Sequence, residues 1–403
     1  MSKAKPFCIS KKEVWEAYQR VRAKQGCSGV DGQTIEEFEK DLSNNLYKLW
    51  NRMSSGSYFP DPVREVEIPK ANNQKRSLGI PTVTDRIAQT VVLRRLEQEI
   101  DRYFHPDSYG YRPGRSAIDA VSTARKRCWR FGWVLDLDIK AFFDTIDHGL
   151  LMRALRQHTD EKWIPLYVER WLKSRVEQKD GTLLIRDMGT PQGGVVSPLL
   201  ANLFLHYAFD LWLQEKCPYI PFERFADDVI CHCRSEKQAQ WLLIQLKRRL
   251  AACRLEQHPE KTKIVCCRGA ESGSFDFLGY TFRPRKAINR QGKAFLGFLP
   301  AVSNQSLKKM RQNIRQMRLH RRTDLSLEEL AKMLNPKLRG WINYFRHFYK
   351  SRLNRLVQHV DWILIRWSKR KYKRLRGRTR KASFWMRRIC KQQPWLFVHW
   401  SSF

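Results

Sequence analysis

Two short acidic clusters, each beside apolar residues typical of a strand, are the parts of this sequence best suited to chemistry. The first contains Asp136, Asp138 and Asp144, and the second is the adjacent pair Asp227 and Asp228. Buried carboxylates that lie close together repel one another, so one takes up a proton unless a cation lies between them. Mg²⁺ prefers oxygen ligands and phosphates, and a pair of such ions can activate a hydroxyl and stabilise a leaving phosphate. The clusters therefore predict a site for two Mg²⁺ ions, with Mn²⁺ as the alternative.

Either cluster alone is more simply interpreted as aspartates in a turn or at a helix cap. Their combination favours the metal site, because Asp138 ends an alternating strand and residues 227–228 stand at the tip of a predicted hairpin. Asp136 lies on the same strand face as Asp138, so spacing does not choose between them. Between the clusters, the glycines of residues 189–194 let the backbone approach a ligand before an apolar helix begins.

The composition is strongly basic. The 403 residues include 76 Lys and Arg against 40 Asp and Glu, a formal net charge of +36, yet 42% are hydrophobic and 12% aromatic. This predicts a folded protein of two or three subdomains whose partner is a polyanion; nucleic acid is favoured and an anionic membrane surface is the alternative. Since no apolar run is long enough to span a membrane and residues 1–10 do not resemble a signal peptide, we expect a cytoplasmic protein.

The ten cysteines show no CxxC spacing, which predicts reduced, mostly buried thiols instead of a zinc site or disulfide framework. Among the cysteines, only those in the run Cys231, His232 and Cys233 suggest a metal ligand. Alternation along a strand points His232 away from both cysteines, so packing is the favoured interpretation.

Charge and periodicity divide the chain into two regions. The first three quarters mix short strands, such as residues 133–139, with amphipathic helices, such as residues 239–253. Residues 306–403 are predicted to be helical and contain 27 Lys and Arg but only four acidic residues. We therefore predict an α+β fold followed by a helical, basic C-terminal region. Residues 369–381 are so rich in Lys and Arg that we expect them to order on contact with a partner.

A series of motifs resembles the bacterial group II intron-encoded reverse transcriptases, also called maturases. Besides the acidic clusters and the glycine-rich segment, the shared motifs are GVDG at 29–32, IPK at 68–70, RSLGIP at 76–81, DR at 85–86, SYGYRPGRS at 108–116, HPEKTK at 258–263, FLGY at 277–280 and LRGWINYF at 338–345. Each is weak alone, but so many in one order make the resemblance specific.

The resemblance implies a right-hand polymerase fold. Its parts would be an N-terminal extension at residues 1–50, fingers and palm at 51–302, a thumb or maturase domain at 303–365 and a basic, DNA-binding-like region at 366–403. The palm would carry the carboxylates on an antiparallel sheet. The change in composition near residue 303 agrees with the boundary between palm and thumb.

The resemblance also implies catalytic roles. Asp138, Asp227 and Asp228 would bind the two Mg²⁺ ions, and Lys261 would be the general acid toward pyrophosphate. Asp136 and Asp144 would then be supporting residues. Lys263 remains an alternative to Lys261, because both would share a strand face. Most relatives begin the tandem motif with Tyr where this chain has Phe225, which removes a hydroxyl but no ligand.

Other matched positions would bind the nucleotide. Lys70 and Arg76 would hold the triphosphate, Gln192 would contact the nascent base pair near the sugar, and Gly193 would allow close approach of the backbone. Phe143 would clash with a ribose 2′-hydroxyl and so select dNTPs. Without the resemblance, the two cations would be read as surface residues and Phe143 as part of the core.

Basic residues mixed with aromatic ones predict nucleic-acid contacts. Tyr109 and Tyr111 accompany two of these cations, although a packed turn is an equally good interpretation there. Trp341 and Tyr344 of the thumb are interpreted as core. The predicted nucleic-acid-binding residues are Arg112, Arg115, Arg339, Arg346, Lys371, Arg374 and Arg376.

The function implied is an RNA-directed DNA polymerase that binds group II intron RNA, assists its splicing and reverse-transcribes it during retrohoming. Its partners would be the intron RNA, an RNA template, a DNA primer or target and dNTPs, with no membrane; monomer and dimer both stay open. Because no HNH endonuclease motif follows the basic region, we do not expect this polypeptide to nick the second strand. Two alternatives are a splicing maturase without catalysis, which the intact aspartates argue against, and a domesticated enzyme of defence or CRISPR spacer acquisition.

Overall fold

The fold is described from a computed structural model that covers residues 5–69, 75–268, 272–288 and 291–402. The helices are α1 (Lys11–Lys24), α2 (Ile35–Glu39), α3 (Leu42–Ser55), α4 (Val83–Ile100), α5 (Ala117–Arg130), α6 (Phe142–Thr145), α7 (His148–Arg156), α8 (Trp163–Leu172), α9 (Ser197–Leu205), α10 (Leu211–Lys216), α11 (Glu236–Ala252), α12 (Asn304–Gln316), α13 (Leu327–Phe345), α14 (Asn354–Lys371), α15 (Thr379–Gln392) and α16 (Val398–Ser402). The strands are β1 (Val63–Pro69), β2 (Lys75–Ile80), β3 (Trp133–Leu137), β4 (Val176–Glu177), β5 (Leu183–Leu184), β6 (Phe222–Phe225), β7 (Asp228–Cys233), β8 (Lys263–Cys266), β9 (Phe275–Phe277), β10 (Tyr280–Ile288) and β11 (Ala294–Val302).

These elements form two compact units. The first unit comprises residues 1–116, 135–233 and 237–263, and the second comprises residues 117–134, 234–236 and 264–403. The α+β pattern predicted from the sequence is confirmed, including the strand that begins at Trp133, the helix α11 and the hairpin formed by β6 and β7. The strand β3 ends earlier than expected, at Leu137, and Ile139 forms only an isolated bridge with Gln257.

The first unit contains a four-stranded sheet in the order β2-β1-β4-β5. The long β1–β2 hairpin is antiparallel, with Arg64 opposite Ile80, and β1 also pairs in parallel with β4, with Val63 opposite Val176. The helix α4 follows this hairpin and is capped by Thr82, whose hydroxyl accepts a hydrogen bond from the Asp85 backbone N–H. The hairpin is thereby joined directly to a buried helix.

A second four-stranded sheet has the order β6-β7-β3-β8. The hairpin β6–β7 is antiparallel, with Phe225 opposite Asp228 at its closed end. The strand β7 is buried from Val229 to Cys233, and the largely apolar helix α9 is buried as well. The sheet edge that carries the second acidic cluster therefore rests on a deep core.

The chain from α9 to α10 passes through a π-helical turn, His206–Asp210. An extra residue in such a turn shifts the side chains that follow it. Here Asp210 is completely buried against Arg224 of β6, with Nε and Nη2 of the guanidinium 2.7 Å and 2.6 Å from the two carboxylate oxygens. Burial alone would raise the pKa of Asp210, but the guanidinium lowers it below its usual value. The pair is a fully buried bidentate salt bridge.

The second unit contains the antiparallel sheet β11-β10-β9, in which Tyr280 lies opposite Val302, and the C-terminal helices. The helix α13 begins with a capping box formed by Ser326 and Glu329. Trp341 and Tyr344, predicted to be core, are both half-buried, and the Tyr344 hydroxyl donates to the Leu278 carbonyl at 2.9 Å. The prediction that Trp341 and Tyr344 are core residues therefore agrees only partly with their burial.

Residues 369–381 are ordered by contacts within the chain, so the expectation that they order on a partner is wrong. The helix α14 continues to Lys371, whose ammonium donates to the Leu325 carbonyl at 2.5 Å. Leu375 is buried in a 3₁₀ turn, and the ring of Tyr372 lies 5.1 Å from that of Trp385. Apolar anchors between the basic residues supply the core that composition alone did not suggest.

The ten cysteines are free thiols, and Cys231 and Cys233 are buried. The imidazole Nε2 of His232 lies 2.6 Å from Oε2 of the buried Glu223, which explains its orientation without a metal. Within the described ranges, no helix is long and apolar enough to cross a membrane.

The buried pair gives a stability prediction. Replacing Arg224 with Met (Arg224→Met) should lower the free energy of unfolding by about 3–5 kcal/mol, because the Asp210 carboxylate would stay buried without its partner. Urea denaturation measures the change. As a matched control, Arg254→Met removes the exposed pair with Asp147 and should cost under about 1 kcal/mol. Similar losses in both variants would contradict the importance of the buried pair.

Candidate active site

Asp138 is held at the end of β3 by its own backbone. Its carbonyl accepts a hydrogen bond from the His258 N–H at 2.7 Å, and its N–H donates to the Thr262 hydroxyl at 3.4 Å. Both backbone groups of Asp138 are thus hydrogen-bonded to the segment 258–262. The side-chain carboxylate is not needed to fix the backbone there and can interact with other groups. The motif that contains His258 and the first acidic cluster are thereby brought together from positions 120 residues apart.

The second cluster stands at the closed end of the β6–β7 hairpin. Ala226 has a left-handed backbone (φ 57°), and its carbonyl accepts from Nη1 of Arg224 at 3.1 Å. Gly110 packs so tightly on this turn that a Cβ there would collide with the Ala226 backbone nitrogen. The same Arg224 Nη1 donates to Asn202, whose amide donates to the Gly110 carbonyl at 2.6 Å. The buried network therefore determines where Asp227 and Asp228 lie.

The three predicted carboxylates affect one another electrostatically. Burial raises the pKa of Asp227, and the charge of Asp138 raises it further, while Arg76 and Lys261 act in the opposite direction. The pKa of Asp228 is raised to about 6, first by the surrounding protein atoms that displace water and then by the charges of Asp227 and Asp138. The charge of Asp138 therefore acts on both aspartates of the pair at the closed end of the β6–β7 hairpin.

Lys261 provides a positive charge at this site. Its ammonium lies 3.2 Å from Oδ2 of Asp138, and most of its side chain stays exposed. The strand β8 begins only at Lys263, so Lys261 belongs to the preceding turn and the two lysines do not share a strand face there. Of the two, Lys261 is thus the one whose ion pair connects it with the carboxylates.

The donor set fits a hard divalent cation. All three side chains offer only oxygen, and their mutual repulsion is the cost that a cation would remove. Over the described ranges, no group of three Asp, Glu, His or Cys side chains is already gathered closely enough to hold a metal ion. The assignment of Asp138, Asp227 and Asp228 as metal ligands stays a prediction.

A second set of polar residues connects the β1–β2 hairpin with the glycine-rich segment. Nε of Arg76 donates a short hydrogen bond to the Gln192 amide oxygen, and the Gln192 amide nitrogen lies 3.4 Å from both Asp144 oxygens. Gly193 has φ 123°, and a Cβ there would lie 2.6 Å from the Gly79 carbonyl oxygen. Arg76, Gln192 and Gly193, predicted to bind the nucleotide, are therefore brought together. Lys70 lies outside the described residues.

Phe143 lies on the short helix α6, which follows the left-handed residue Ala141 (φ 46°). Its ring packs edge-on against Phe142, with 5.4 Å between centroids. Phe143 keeps 8% of its surface accessible against 2% for Phe142, so it lies at the boundary of the core. This burial agrees in part with the interpretation of Phe143 as a core residue. Its role in sugar selection stays a prediction.

Sequence reasoning missed two groups near the glycine-rich segment. His148 Nε2 lies 2.7 Å from the Gly189 carbonyl oxygen, and the negative charges of Asp144 and Glu65 act on the Arg186 guanidinium. Arg186 has a lowered pKa, mainly through burial. Their partners lie about 40 residues or more away in sequence. No local pattern signals such contacts, because they exist only once the segments have folded together.

The predicted nucleic-acid contacts of the first unit separate into two kinds. Arg112 uses all five of its N–H donors within the protein, on the Asp101 carboxylate and on the carbonyls of Asp101, His105 and Ser108, and only 6% of its side chain is exposed. This geometry does not support Arg112 as a contact with nucleic acid. Arg115 is exposed, as is Tyr111, whose ring lies 6.3 Å from that of Phe225.

The predicted contacts of the second unit are mostly accessible. Exposed side chains that could reach a phosphate are those of Arg339, Arg346, Arg374 and Arg376. Lys371 differs, because its ammonium is used on the Leu325 carbonyl and lies 5.5 Å from the Trp367 ring centroid. Its position is that of a structural anchor.

Comparison with known proteins agrees with this arrangement. Residues 68–282 match the family model described as reverse transcriptase (RNA-dependent DNA polymerase), and residues 307–385 match the group II intron maturase-specific domain. Protein YkfC of Escherichia coli K12 is 38% identical over 195 residues, which cover 47% of this chain and 50% of YkfC.

Longer alignments point to the same family. The group II intron-encoded protein LtrA of Lactococcus lactis is 28% identical over 417 aligned positions, which cover 82% of this chain and 68% of LtrA. A putative COX1/OXI3 intron 1 protein of Saccharomyces cerevisiae is 28% identical over 247 residues, 61% of this chain and 29% of that protein. The chain thus spans about half to two thirds of its bacterial relatives. The predicted family and the right-hand polymerase fold class are confirmed: this chain belongs to the reverse transcriptase family and carries a group II intron maturase-specific domain.

Proposed function

We propose that the protein copies RNA into DNA from a primer 3′-hydroxyl, and that it binds a group II intron RNA, assists its splicing and reverse-transcribes it. The observation that carries the proposal is the electrostatic convergence of Asp138, Asp227 and Asp228, with Lys261, at one end of a sheet. All four residues lie within the part matched by the reverse transcriptase model.

The carboxylates would hold two divalent cations, Mg²⁺ or Mn²⁺. When bound, such ions lower the pKa of a 3′-hydroxyl and neutralise charge on a leaving pyrophosphate. Asp138 supplies hard oxygen donors from the residue that follows β3, Asp227 from the turn between β6 and β7, and Asp228 from the start of β7. The raised pKa values of Asp227 and Asp228 support this role, because they reflect a concentration of negative charge that a cation would relieve.

Lys261 would donate a proton to the leaving pyrophosphate. An ammonium can do this if it lies within hydrogen-bond reach of the leaving oxygen. Its ion pair with Asp138 holds it beside the carboxylates, while its exposed position leaves it able to move toward a substrate.

Arg76 and Gln192 would position the incoming dNTP. The guanidinium can hold triphosphate oxygens through two parallel hydrogen bonds, and its existing bond to Gln192 limits its movement before substrate arrives. Lys70, which follows Pro69 in the sequence, would join it. Gly193, which packs against the Gly79 carbonyl where a Cβ would not fit, would let the backbone approach the nascent base pair, and Phe143 would occupy the space that a ribose 2′-hydroxyl needs.

The second unit would bind the larger RNA and DNA partners. Its C-terminal helices match the maturase-specific domain and present exposed cations, among them Arg339, Arg346, Arg374 and Arg376. Phosphate contacts of this kind supply affinity with little sequence preference. We propose that residues 1–50, 51–302, 303–365 and 366–403 act as the N-terminal extension, the fingers and palm, the thumb or maturase domain and the DNA-binding region.

The first prediction concerns the carboxylates. Asp227→Asn should reduce Mg²⁺-dependent extension of a DNA primer on an RNA template by at least about 10²-fold, because a ligand charge is lost while the shape is kept. RNA binding should stay nearly unchanged, since phosphate contacts elsewhere supply it. Asp160→Asn, on an exposed loop, is the matched control and should extend normally. Wild-type extension by the Asp227 variant would refute the assignment.

A second prediction concerns sugar selection. Phe143→Ala should lower the preference for dNTPs over rNTPs by about 10-fold or more, because the smaller side chain leaves room for the 2′-hydroxyl. Competitive incorporation of the two nucleotides measures the ratio. Phe142→Leu perturbs the neighbouring core ring and should leave the ratio as it is. If the ratio moved equally in both variants, selection would reside in general packing.

A third prediction concerns the basic C-terminal region. Changing the exposed residues Arg374 and Arg376 to Gln should weaken binding to duplex DNA and reduce the slope of log K against log salt by about 1 for each phosphate that is no longer neutralised. Fluorescence anisotropy over a salt series measures the slope, and primer extension on RNA should be largely spared. Lys12→Gln, exposed on α1, is a control that also removes positive charge. Equal loss of DNA binding and extension would show a structural role instead.

A further inference from the structure

A basic groove of about 590 Å³ lies in the first unit, and its lining includes none of Asp138, Asp227 and Asp228. It is formed by the stretch that follows α3 and by the end of α8, and its lining includes Phe59, Arg170, Lys173 and Arg175. Phe59 keeps 65% of its surface exposed, so its ring is accessible to a ligand. The groove has no part in the chemistry proposed above.

The exposed ring is already stacked on one side. The guanidinium carbon of Arg170 lies 3.8 Å from the Phe59 ring centroid and 5.7 Å from that of Tyr167. Arg170 is itself fixed, because its Nη1 donates to the Gly56 carbonyl at 2.9 Å and to the Tyr58 carbonyl. The result is an ordered stack of Tyr167, Arg170 and Phe59 whose outer member presents an aromatic surface to solvent.

The groove also carries an excess of positive charge. Lys173 and Arg175 are both exposed beside the stack, and the one carboxylate of the lining, Glu169, lies 2.6 Å from the Lys173 ammonium. Arg175 is held at the backbone, where its carbonyl accepts from the Val63 N–H at 2.8 Å. An open aromatic face beside cations is the combination with which proteins bind single-stranded nucleic acid, by stacking on bases and pairing with phosphates. An apolar protein partner would not require the three cations.

The groove is structurally continuous with the proposed nucleotide site. Val63, held by Arg175, begins β1, and a Cβ on Gly79 of the neighbouring β2 would lie 2.6 Å from a Val63 methyl carbon. The Gly79 N–H in turn donates to the Gln192 carbonyl at 2.8 Å. The sheet that contains β1 and β2 therefore contacts the groove through Val63, at the start of β1, and contacts Gln192 through Gly79 of β2.

We propose that this groove binds the single-stranded part of the RNA template that has not yet been copied, with a base stacked on Phe59 and phosphates at Lys173 and Arg175. The inference rests on the proposed polymerase function and extends it by naming a site for the template. Stacking and phosphate contacts read no base edges, so binding there is tolerant of sequence.

The test measures binding without catalysis. DNA primers labelled with fluorescein are annealed to RNA templates with 5′ overhangs of about 2 and about 12 nucleotides, a range that brackets common single-strand site sizes. Anisotropy in EDTA gives the dissociation constant of full-length protein for each duplex. The wild type should bind the duplex with the longer overhang more tightly. Phe59→Ala should reduce this gain in affinity by about 5-fold or more. Phe59→Trp, which keeps a ring, should retain it.

Further measurements test whether the effect is local to the groove. Changing Lys173 and Arg175 together to Gln should also abolish the gain in affinity for the longer overhang. It should make binding to that overhang less dependent on salt. Tyr219→Ala removes another exposed aromatic of the same unit, 53% accessible, and should keep the gain. 4-Thiouridine placed in the overhang should crosslink to the peptide that contains Phe59. Thermal unfolding of each variant verifies that the fold is intact.

The outcomes separate this proposal from the polymerase function. If wild-type protein extends primers in Mg²⁺ but Phe59→Ala keeps the full gain in affinity and no crosslink forms near Phe59, the groove proposal is overturned and the polymerase stands. If wild-type protein extends no primer, the polymerase proposal fails on its own assay. A gain lost equally in the Tyr219 control would also overturn the groove, because the effect would then not be local.

Discussion

The geometry of the candidate site depends on the buried salt bridge between Arg224 and Asp210. The guanidinium neutralises a completely buried carboxylate and, through a third nitrogen, holds both Asn202 and the carbonyl of the hairpin turn. A buried pair of this kind adds little net stability compared with apolar residues, but losing one partner is costly. Its value here is orientation: it holds the turn that carries Asp227 and Asp228 against Gly110.

Negative and positive charges are concentrated in different parts of the chain, which have different proposed roles. In a chain with a net charge of +36, the charge of Asp138 helps to raise the pKa of Asp227 and of Asp228, whereas cations dominate the C-terminal helices. From Ala331 onward the sole acidic residue is Asp361, and it is used internally, accepting from the Trp400 indole at 3.1 Å and lying 3.0 Å from His399 Nε2. The single acid of this region therefore anchors α16, and the remaining surface stays basic.

Cations that look equivalent in sequence have different physical roles. Arg112 and Arg115 belong to one motif, yet the first uses every donor on its own chain while the second stays exposed. Lys371 anchors a helix, whereas Arg374 and Arg376 face solvent. Arg170 was not singled out by any pattern, but its fixed guanidinium supports an exposed aromatic ring. Burial and hydrogen bonding, which depend on distant segments, separate these cases.

The sequence by itself determined the α+β class, the hairpin with its two aspartates and the candidate carboxylates, because alternation, glycine placement and local motif order are properties of neighbouring residues. Tertiary structure decided the rest: that Lys261 and not Lys263 pairs with Asp138, that Asp144 and Arg76 meet at Gln192, and that residues 369–381 fold without a partner. Such contacts join segments tens to hundreds of residues apart. No local preference encodes them, since their energies arise only when packing removes water and brings the charges together.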